Sequence, residues 1–153
     1  MTVDIQSAVL DTPEFITLIE THAALMLSLS PPDSCHFLPL EGLREPNVTV
    51  WEMRDQGELI GCGALKELTP THGEVKSMHI LQKARGRGLS HKMLKHIMAV
   101  AEDRGYQRLS LETGQPEGFR AAITLYEQHG FSFCGPFGDY VEDPNSVFMT
   151  RAL

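Results

Sequence analysis

A short basic turn between a predicted strand and a predicted helix is the segment best suited to binding an anion. It reads Gln82-Lys83-Ala84-Arg85-Gly86-Arg87-Gly88-Leu89-Ser90. Gly86 and Gly88 let the backbone bend sharply and approach a ligand closely. The free N–H groups and the positive dipole end of the following helix favour an anion. With its three basic side chains the segment predicts a pyrophosphate site, and a solvated glycine turn is the alternative interpretation.

The turn differs from two common nucleotide-binding motifs. The sequence contains no GxxxxGK[ST], which excludes a P-loop. The turn also lacks the second spacing of GxGxxG, and the acidic residue of a dinucleotide-binding βαβ unit is missing.

The composition predicts one globular domain spanning residues 1–153. The chain is 42% hydrophobic and 22% charged, enough for a core. No apolar run approaches the ~20 residues of a membrane span, and residues 1–15 do not resemble a secretory signal. The net charge of −7 argues against nucleic-acid or anionic-membrane partners, although a local basic pocket remains compatible with it.

The cysteines and histidines predict neither disulfides nor a metal site. Cys35, Cys62 and Cys134 are odd in number and form no CxxC pair. His91 and His96 are five residues apart, which places them on different helix faces, and no HExxH occurs. We therefore expect a reduced, cytoplasmic protein without a metal.

Helices and strands are predicted along the whole chain in the order β-α-(α)-β-β-β-α-β-α-β-β. Strands are predicted over 3–10, 47–53, 58–68, 74–81, 106–112, 131–134 and 146–152. Helices are predicted from Thr12-Pro13, from Leu89 to a Gly105 cap, and over 118–129, with a short one within 37–44. This order calls for a mixed sheet with helices packed on it.

Two motifs in register resemble those of the GCN5-related N-acetyltransferase (GNAT) superfamily. That family has Q/R-x-x-G-x-G/A opening one helix and Leu-Tyr…Gly-Phe closing the next. The corresponding segments here are Arg85-Gly86-Arg87-Gly88-Leu89-Ser90 and Leu125-Tyr126-Glu127-Gln128-His129-Gly130-Phe131. The specific match covers residues 57–133. It implies an α/β (α+β) fold with a mixed, mostly antiparallel sheet of about 6–7 strands, helices on both faces, and splayed parallel strands that form a CoA cleft.

The sequence departs from the family pattern at two positions. Ser90 stands where the family has Gly or Ala, and its small side chain could itself bond a phosphate. Phe119 stands where the family often has Asn, three residues before Ala122. The CoA contact of that Asn is therefore not carried over.

The resemblance implies acetyl transfer from acetyl-CoA to a primary amine of a small molecule, protein or peptide, by direct attack in a ternary complex. Such a reaction needs a neutral amine, a donor to the developing oxyanion and a proton for the departing thiolate. The implied CoA-binding residues are Met78, His79 and Ile80 on the pantetheine arm, Arg85, Gly86, Arg87, Gly88, Leu89 and Ser90 on the phosphates, and Tyr126. A backbone N–H near His79 or Ile80 is the implied oxyanion donor.

Tyr126 is the implied general acid. A phenol of pKa ~10 giving its proton to a thiolate whose acid has pKa ~8.5 is uphill by about 2 kcal/mol, so the transfer requires good alignment. Tyr126 also lies on the apolar stripe of its helix. The alternative is therefore a purely structural aromatic in the core.

Glu74 is the implied general base. The alternative is an exposed carboxylate at a strand end, paired with Lys76. His79 and His72, with pKa near ~6.5, are rivals, and Glu112 is a weaker one. In a regular strand His79 faces away from Glu74, and a β-bulge would reverse this.

Acceptor specificity is predicted to lie in the least patterned segments, 25–43 and 135–145. Tyr140 and neighbouring carboxylates in the second segment suit a cationic amine, and a solvated acidic loop is the alternative. The residues leave open a free amino acid, a polyamine, an aminoglycoside and a protein N-terminus. The resemblance also leaves a homodimer open.

Two other functional classes compete with the enzyme. A non-catalytic acyl-CoA sensor or regulatory module could use the same fold, but Tyr126 and Glu74 favour an enzyme. Nucleic-acid binding through residues 83–87 is disfavoured, because no aromatic residues interleave the basic ones and the net charge is negative.

Overall fold

The computed structural model describes residues 3–153 as seven strands and four α-helices. In chain order these are β1 (Val3–Ser7), α1 (Pro13–Leu29), α2 (Leu40–Leu43), β2 (Val48–Asp55), β3 (Glu58–Thr69), β4 (His72–Ile80), α3 (Leu89–Asp103), β5 (Arg108–Gly114), α4 (Pro116–Gln128), β6 (Ser132–Cys134) and β7 (Ser146–Ala152). None of the helices within 3–153 is long and apolar enough to cross a membrane.

All seven strands form one sheet in the order β1-β2-β3-β4-β5-β7-β6. Every neighbouring pair is antiparallel except β4 and β5, which are parallel. The predicted mixed, mostly antiparallel sheet is therefore confirmed. The last strand in sequence, β7, inserts between β5 and β6 and fixes the far half of the sheet.

Two apolar clusters cover the two faces of the sheet. The α3-side cluster centres on Met93, Leu94 and Ile97, all fully buried against the sheet. The α1-side cluster joins Phe15 and Leu18 to the sheet residues on the opposite face. Each buried side chain of this size stabilises the fold by about 1.5–3 kcal/mol. Helices therefore pack on both faces, as predicted.

The predicted start of the first helix is confirmed in detail. Thr12 Oγ1 accepts a hydrogen bond from the Phe15 N–H at 3.2 Å, and Pro13 occupies the first helical position. The hydroxyl satisfies one of the N–H groups that a helix start leaves without a partner. Proline supplies the φ angle that this position requires.

Several strand ends differ from the predicted bounds because cross-strand pairing decides where a strand ends. β1 stops at Ser7 rather than at residue 10, where the chain leaves β2 for α1. β4 begins at His72 rather than at the predicted residue 74, because His72 pairs with Arg108 of β5. β5 continues to Gly114, which pairs with Ser146 of β7.

The parallel strands β4 and β5 pair over only three residues on each strand. The pairs are His72 with Arg108, Gly73 with Leu109, and Glu74 with Ser110. Beyond these pairs the two strands diverge. The β4 edge from Val75 onward therefore has no partner strand on this side within the described chain, and its backbone groups face a cleft.

Candidate active site

The glycine turn leaves the first backbone N–H groups of α3 free. Gly86 and Gly88 have φ angles of 83° and 73°, which side-chain-bearing residues rarely adopt. Gly88 precedes α3 and supplies no capping side chain, and the first helical bond runs from the Lys92 N–H to the Gly88 oxygen at 3.3 Å. A Cβ added at either glycine would meet no atom within 4 Å. The turn thus combines free donors with open space.

The three basic side chains of the turn do not converge on one point. Arg87 pairs with Asp55 at 2.9 Å and Lys83 pairs with Glu58 at 3.3 Å, both on the neighbouring β2–β3 hairpin. Arg85 Nε donates to the Ile80 carbonyl at 2.9 Å. Two of the three predicted charges are therefore partly compensated by acids that the sequence motif does not contain. An anion at this turn would therefore be held mainly by backbone donors.

A cavity of about 640 Å³, the larger cavity, extends from the glycine turn to Tyr126. The predicted cofactor residues that line it are Met78, His79, Ile80, Arg85, Gly86, Gly88, Leu89, Ser90 and Tyr126. Arg87 points away, toward Asp55. Most of the other lining residues come from α1 and α4, and Ala84 and His91 lie on either side of the glycine turn. The structure thus brings residues of the first motif and the helix of the second motif to one cavity.

A second cavity of about 140 Å³, the smaller cavity, lies where β4 and β5 diverge. Glu74, Lys76 and Glu112 line it from the two strands. The two cavities share five lining residues, Met26, Met78, Phe119, Ala122 and Tyr126. The ring of Tyr126 therefore stands at the junction between them.

Tyr126 is both a core residue and a lining residue. Its side chain is buried, and its ring packs against Phe131 with centroids 5.7 Å apart. Its hydroxyl makes no hydrogen bond to any residue within 3–153. Burial raises the pKa of Tyr126 well above its ordinary value, so the phenol is fully protonated at neutral pH.

Glu74 belongs to a closed buried network. Its Oε2 accepts hydrogen bonds from the Tyr140 hydroxyl at 2.6 Å and from Lys76 Nζ at 3.2 Å. Lys76 also donates to the His36 carbonyl at 3.1 Å and to the Tyr140 oxygen at 3.0 Å. Glu74 is 2% exposed, so the expectation of an exposed strand-end carboxylate is wrong, although the pairing with Lys76 is confirmed.

Glu112 lines the smaller cavity from β5, the strand beside Glu74. Within residues 3–153 the Glu112 carboxylate forms no ion pair, because no cationic nitrogen lies within 4 Å of its oxygens. Burial raises its pKa to about 7, and the carboxylates of Glu74 and Asp143 act in the same direction. Both protonation states of Glu112 are therefore populated at neutral pH.

His79 lies on the same face of β4 as Glu74, contrary to the expectation for a regular strand. The β3–β4 register slips by one residue around Ser77, whose φ is 55°. Such a bulge shifts the alternation of side chains by one position. It brings His79 Nδ1 within 3.0 Å of His22 Nδ1 on α1.

The two rival histidines are poorly suited to act as the base. Burial lowers the pKa values of His79 and His22 to about 4, so both are weak bases and neutral at neutral pH. His72 Nε2 lies 2.7 Å from the Ser110 hydroxyl and outside both cavities. The carboxylates are therefore the stronger candidates.

Several site residues come from segments that contain no recognisable motif. Met26, Cys35 and Phe37 line the smaller cavity from the predicted acceptor segment 25–43. Tyr140, from the other predicted acceptor segment, reaches the network behind Glu74. His22 was missed, and its signal was a polar residue on the apolar stripe of α1.

Three comparisons with known proteins agree with this geometry. The model of the acetyltransferase (GNAT) family matches residues 17–131. The uncharacterised N-acetyltransferase YsnE of Bacillus subtilis (strain 168) is 50% identical over 140 residues, which are 92% of this chain and 93% of YsnE. A Klebsiella pneumoniae structure named as an acyl-CoA N-acyltransferase is 34% identical, with TM-score 0.80 over 99% of this chain and 97% of its own.

A structure with a bound ligand has the same fold. The GNAT family acetyltransferase from Elizabethkingia anophelis with acetyl-CoA bound is 18% identical, with TM-score 0.71 over 99% of each chain. The family model covers most of the chain, and YsnE matches along nearly its whole length. This chain belongs to the GNAT family of N-acetyltransferases.

Proposed function

We propose that the protein transfers an acetyl group from acetyl-CoA to a primary amine by direct attack in a ternary complex. The observation that supports this most strongly is the meeting of two cavities at Tyr126, between strands that diverge. One cavity ends at free N–H donors and the other contains carboxylates. Two substrates can therefore reach one phenol from opposite sides.

The larger cavity suits the carrier. Free N–H groups at the start of α3 and the helix dipole favour a pyrophosphate, and the glycine turn leaves room for it. The unpaired β4 edge at Met78, His79 and Ile80 can bind an extended amide-containing arm as an added strand does. When bound, acetyl-CoA supplies a thioester carbonyl open to attack by an amine. The acetyl-CoA-bound Elizabethkingia protein of the same fold supports this choice of carrier.

We place the general-base role on Glu112. Glu74, the base that the family resemblance implies, already accepts hydrogen bonds from Lys76 and Tyr140 on one oxygen. Glu112 has no such ion pair, and its pKa of about 7 is matched to taking a proton from an ammonium near neutral pH. Glu74 then serves as the partner of Lys76. The role of Glu74 as a general base stays a prediction.

Tyr126 serves as the proton donor to the departing sulfur. Its hydroxyl is free of other partners within residues 3–153, and its raised pKa keeps it protonated. The same raised pKa makes proton transfer to a fully formed thiolate more unfavourable than reference values suggest. Tyr126 therefore donates a hydrogen bond while charge develops on the sulfur, and its proton moves to the sulfur as the C–S bond breaks. The acetylated nitrogen loses one proton, which restores the phenol.

The test is thiol release from acetyl-CoA across a panel of primary amines, with Tyr126→Phe as the variant. We expect its kcat to fall roughly 100-fold, with coenzyme A affinity unchanged by calorimetry. Tyr106→Phe is the matched control, because it removes another buried hydroxyl, one bonded to Glu67 at 2.7 Å and remote from both cavities. Full activity in Tyr126→Phe would leave Tyr126 a core residue only.

The alternative sensor function has a distinct outcome in the same experiment. Coenzyme A would bind, no amine would release thiol, and Tyr126→Phe would behave as the parent protein. A homodimer is not addressed by this assay and stays a prediction.

A further inference from the structure

We infer that the acceptor is a compact monoamine with an apolar body and no carboxylate. This inference rests on the proposed function and concerns which amine fits the smaller cavity. It follows from which charged groups of that cavity already have partners and which do not.

The cavity has no cation available to bind a carboxylate. Lys76 is the only Lys or Arg among the residues that line it. An ammonium has three N–H donors, and those of Lys76 are directed to the His36 carbonyl, Glu74 and Tyr140. His22 is neutral because burial lowers its pKa to about 4. A carboxylate brought here would lose its hydration without gaining a charged partner.

The cavity has one carboxyl group without a cation. Glu74 is compensated by Lys76, and its Oε2 also accepts from Tyr140. Glu112 shares the cavity and forms no ion pair within the described residues. Lys76 attracts Glu112 only at longer range, and the two carboxyl groups of the cavity outnumber its one cation, so one added ammonium restores the balance. A second ammonium on the same molecule would have no partner in the cavity.

Large apolar side chains form part of the remaining walls, with hydroxyl groups between them. Met26, Phe37, Met78 and Phe119 line the cavity beside Ser30, Ser34, Ser77 and Thr113, and the four large side chains favour a hydrocarbon or aromatic body next to the ammonium. The segment 25–43, which lines one side of the cavity, is also tied to the segment 135–145. Ser34 Oγ donates a hydrogen bond to Asp143 Oδ2 at 2.8 Å, and the two residues are 109 positions apart in the chain. This tether and the volume of about 140 Å³ favour a short body.

The first test compares three acceptors that differ in charge. 2-Phenylethylamine, L-phenylalanine and 1,4-diaminobutane are assayed by thiol release with the full chain and saturating acetyl-CoA. L-Phenylalanine differs from the first only by a carboxylate, and the diamine adds a second ammonium. We expect kcat/KM for 2-phenylethylamine to exceed both others by at least roughly tenfold, the cost of one unpaired buried charge or more. Equal or better use of either other amine would overturn the inference.

The second test changes the partners of Lys76. Tyr140→Phe removes one acceptor and releases one Lys76 N–H, so the kcat/KM ratio of L-phenylalanine to 2-phenylethylamine should rise roughly fivefold. Tyr106→Phe, remote from the cavity, should leave the ratio unchanged. A ratio that is the same in Tyr140→Phe and the parent protein would contradict the saturation of Lys76.

Binding separates failure of this inference from failure of the proposed function. Calorimetry on the coenzyme A complex measures the affinity of the same three amines without turnover. No turnover with any amine, together with preferential binding of 2-phenylethylamine, would refute the enzyme proposal and retain the cavity assignment. Binding of L-phenylalanine as tight as that of 2-phenylethylamine, or no binding by any probe, would refute the assignment itself.

Discussion

The two cavities that meet at Tyr126 are built in different ways. Most of the larger cavity is formed by one stretch of chain, residues 78–91, together with α4 and the end of α1. Its internal contacts are local, such as Arg85 to Ile80, five residues apart. The smaller cavity depends on contacts such as Tyr140 to Glu74, 66 residues apart.

This difference matches the two ligands that we propose for the cavities. A phosphate is bound by backbone N–H groups, and a short run of glycines before a helix is enough to present them. Discrimination among amines depends on which charged side chains of the cavity already have an oppositely charged partner and which do not. That compensation depends on partners from distant segments, so the two cavities should respond differently to substitution.

The largest effect is expected from Gly88→Asp in the larger cavity. The φ of 73° strains any side-chain-bearing residue by ~1–3 kcal/mol, and the carboxylate opposes an anion at the helix start. Coenzyme A affinity should fall roughly 500-fold by calorimetry. Gly105→Asp, at φ 82° beyond the other end of α3, is the control and should bind normally. Similar losses in both variants would show that strain alone is responsible.

Lys76→Met tests the smaller cavity, whose contacts join residues far apart in the sequence. It leaves Glu74 buried without its cation, and breaking such a buried pair costs ~3 kcal/mol of folding stability. The double variant with Glu74→Gln should regain most of that loss in urea unfolding, because neither member of the pair then carries a charge. Lys95→Met, on the exposed side of α3, should be nearly neutral. Failure of the double variant to recover would contradict compensation as the cause.

Glu112→Gln should lower kcat roughly 100-fold at about pH 8, and Glu74→Gln should cost less. In the parent protein kcat/KM should rise as the pH increases through about 7, the pKa of Glu112, because the base must be ionised. The variant should lose this rise. An equal or larger loss in Glu74→Gln would return the base role to Glu74.

The raised pKa of Glu112 also predicts how the stability of the fold depends on pH. Because folding raises the pKa of Glu112 from its ordinary value of 4.5 to about 7, ionisation opposes the folded state. The stability associated with its protonated form is complete below pH 4.5 and is lost as the pH rises through about 7. Chemical unfolding of Glu112→Gln should lack this decline, and a decline that persists would assign it to another group.

The smallest effects should separate the two arginines of the glycine turn. Arg85 lines the larger cavity, so Arg85→Ala should weaken coenzyme A binding roughly fivefold at low salt. Arg87 is held by Asp55, so Arg87→Ala should change affinity by less than about twofold. Calorimetry at two ionic strengths measures both. A larger loss in Arg87→Ala would mean that this side chain leaves Asp55 for the ligand.

Much of the fold was predictable because local signals were strong. Thr12-Pro13 marked a helix start, and the apolar spacing around Met93 and Ile97 marked the helix that packs on the sheet. The bulge at Ser77 was not predictable, because no residue there demands a positive φ. It arises from pairing with β3 and reverses the face on which His79 lies.

In the candidate site, too, some residues could be predicted from the sequence and others could not. The glycine turn and Tyr126 could be identified from their motifs. The partners of Lys76 could not, since His36 and Tyr140 lie 40 and 64 residues away from it. The raised pKa of Glu112 also depends on burial by segments that carry no pattern of their own.

The amino-acid sequence by itself determined the backbone geometry of the glycine turn, the order of strands and helices, and the family resemblance. These depend on φ preferences, hydrophobic periodicity and short spacings, all of which act over a few residues. Only the tertiary structure decided which carboxylate is compensated and which histidine faces the cleft. Charge compensation and burial depend on distances between side chains that are remote in sequence, and folding alone sets those distances.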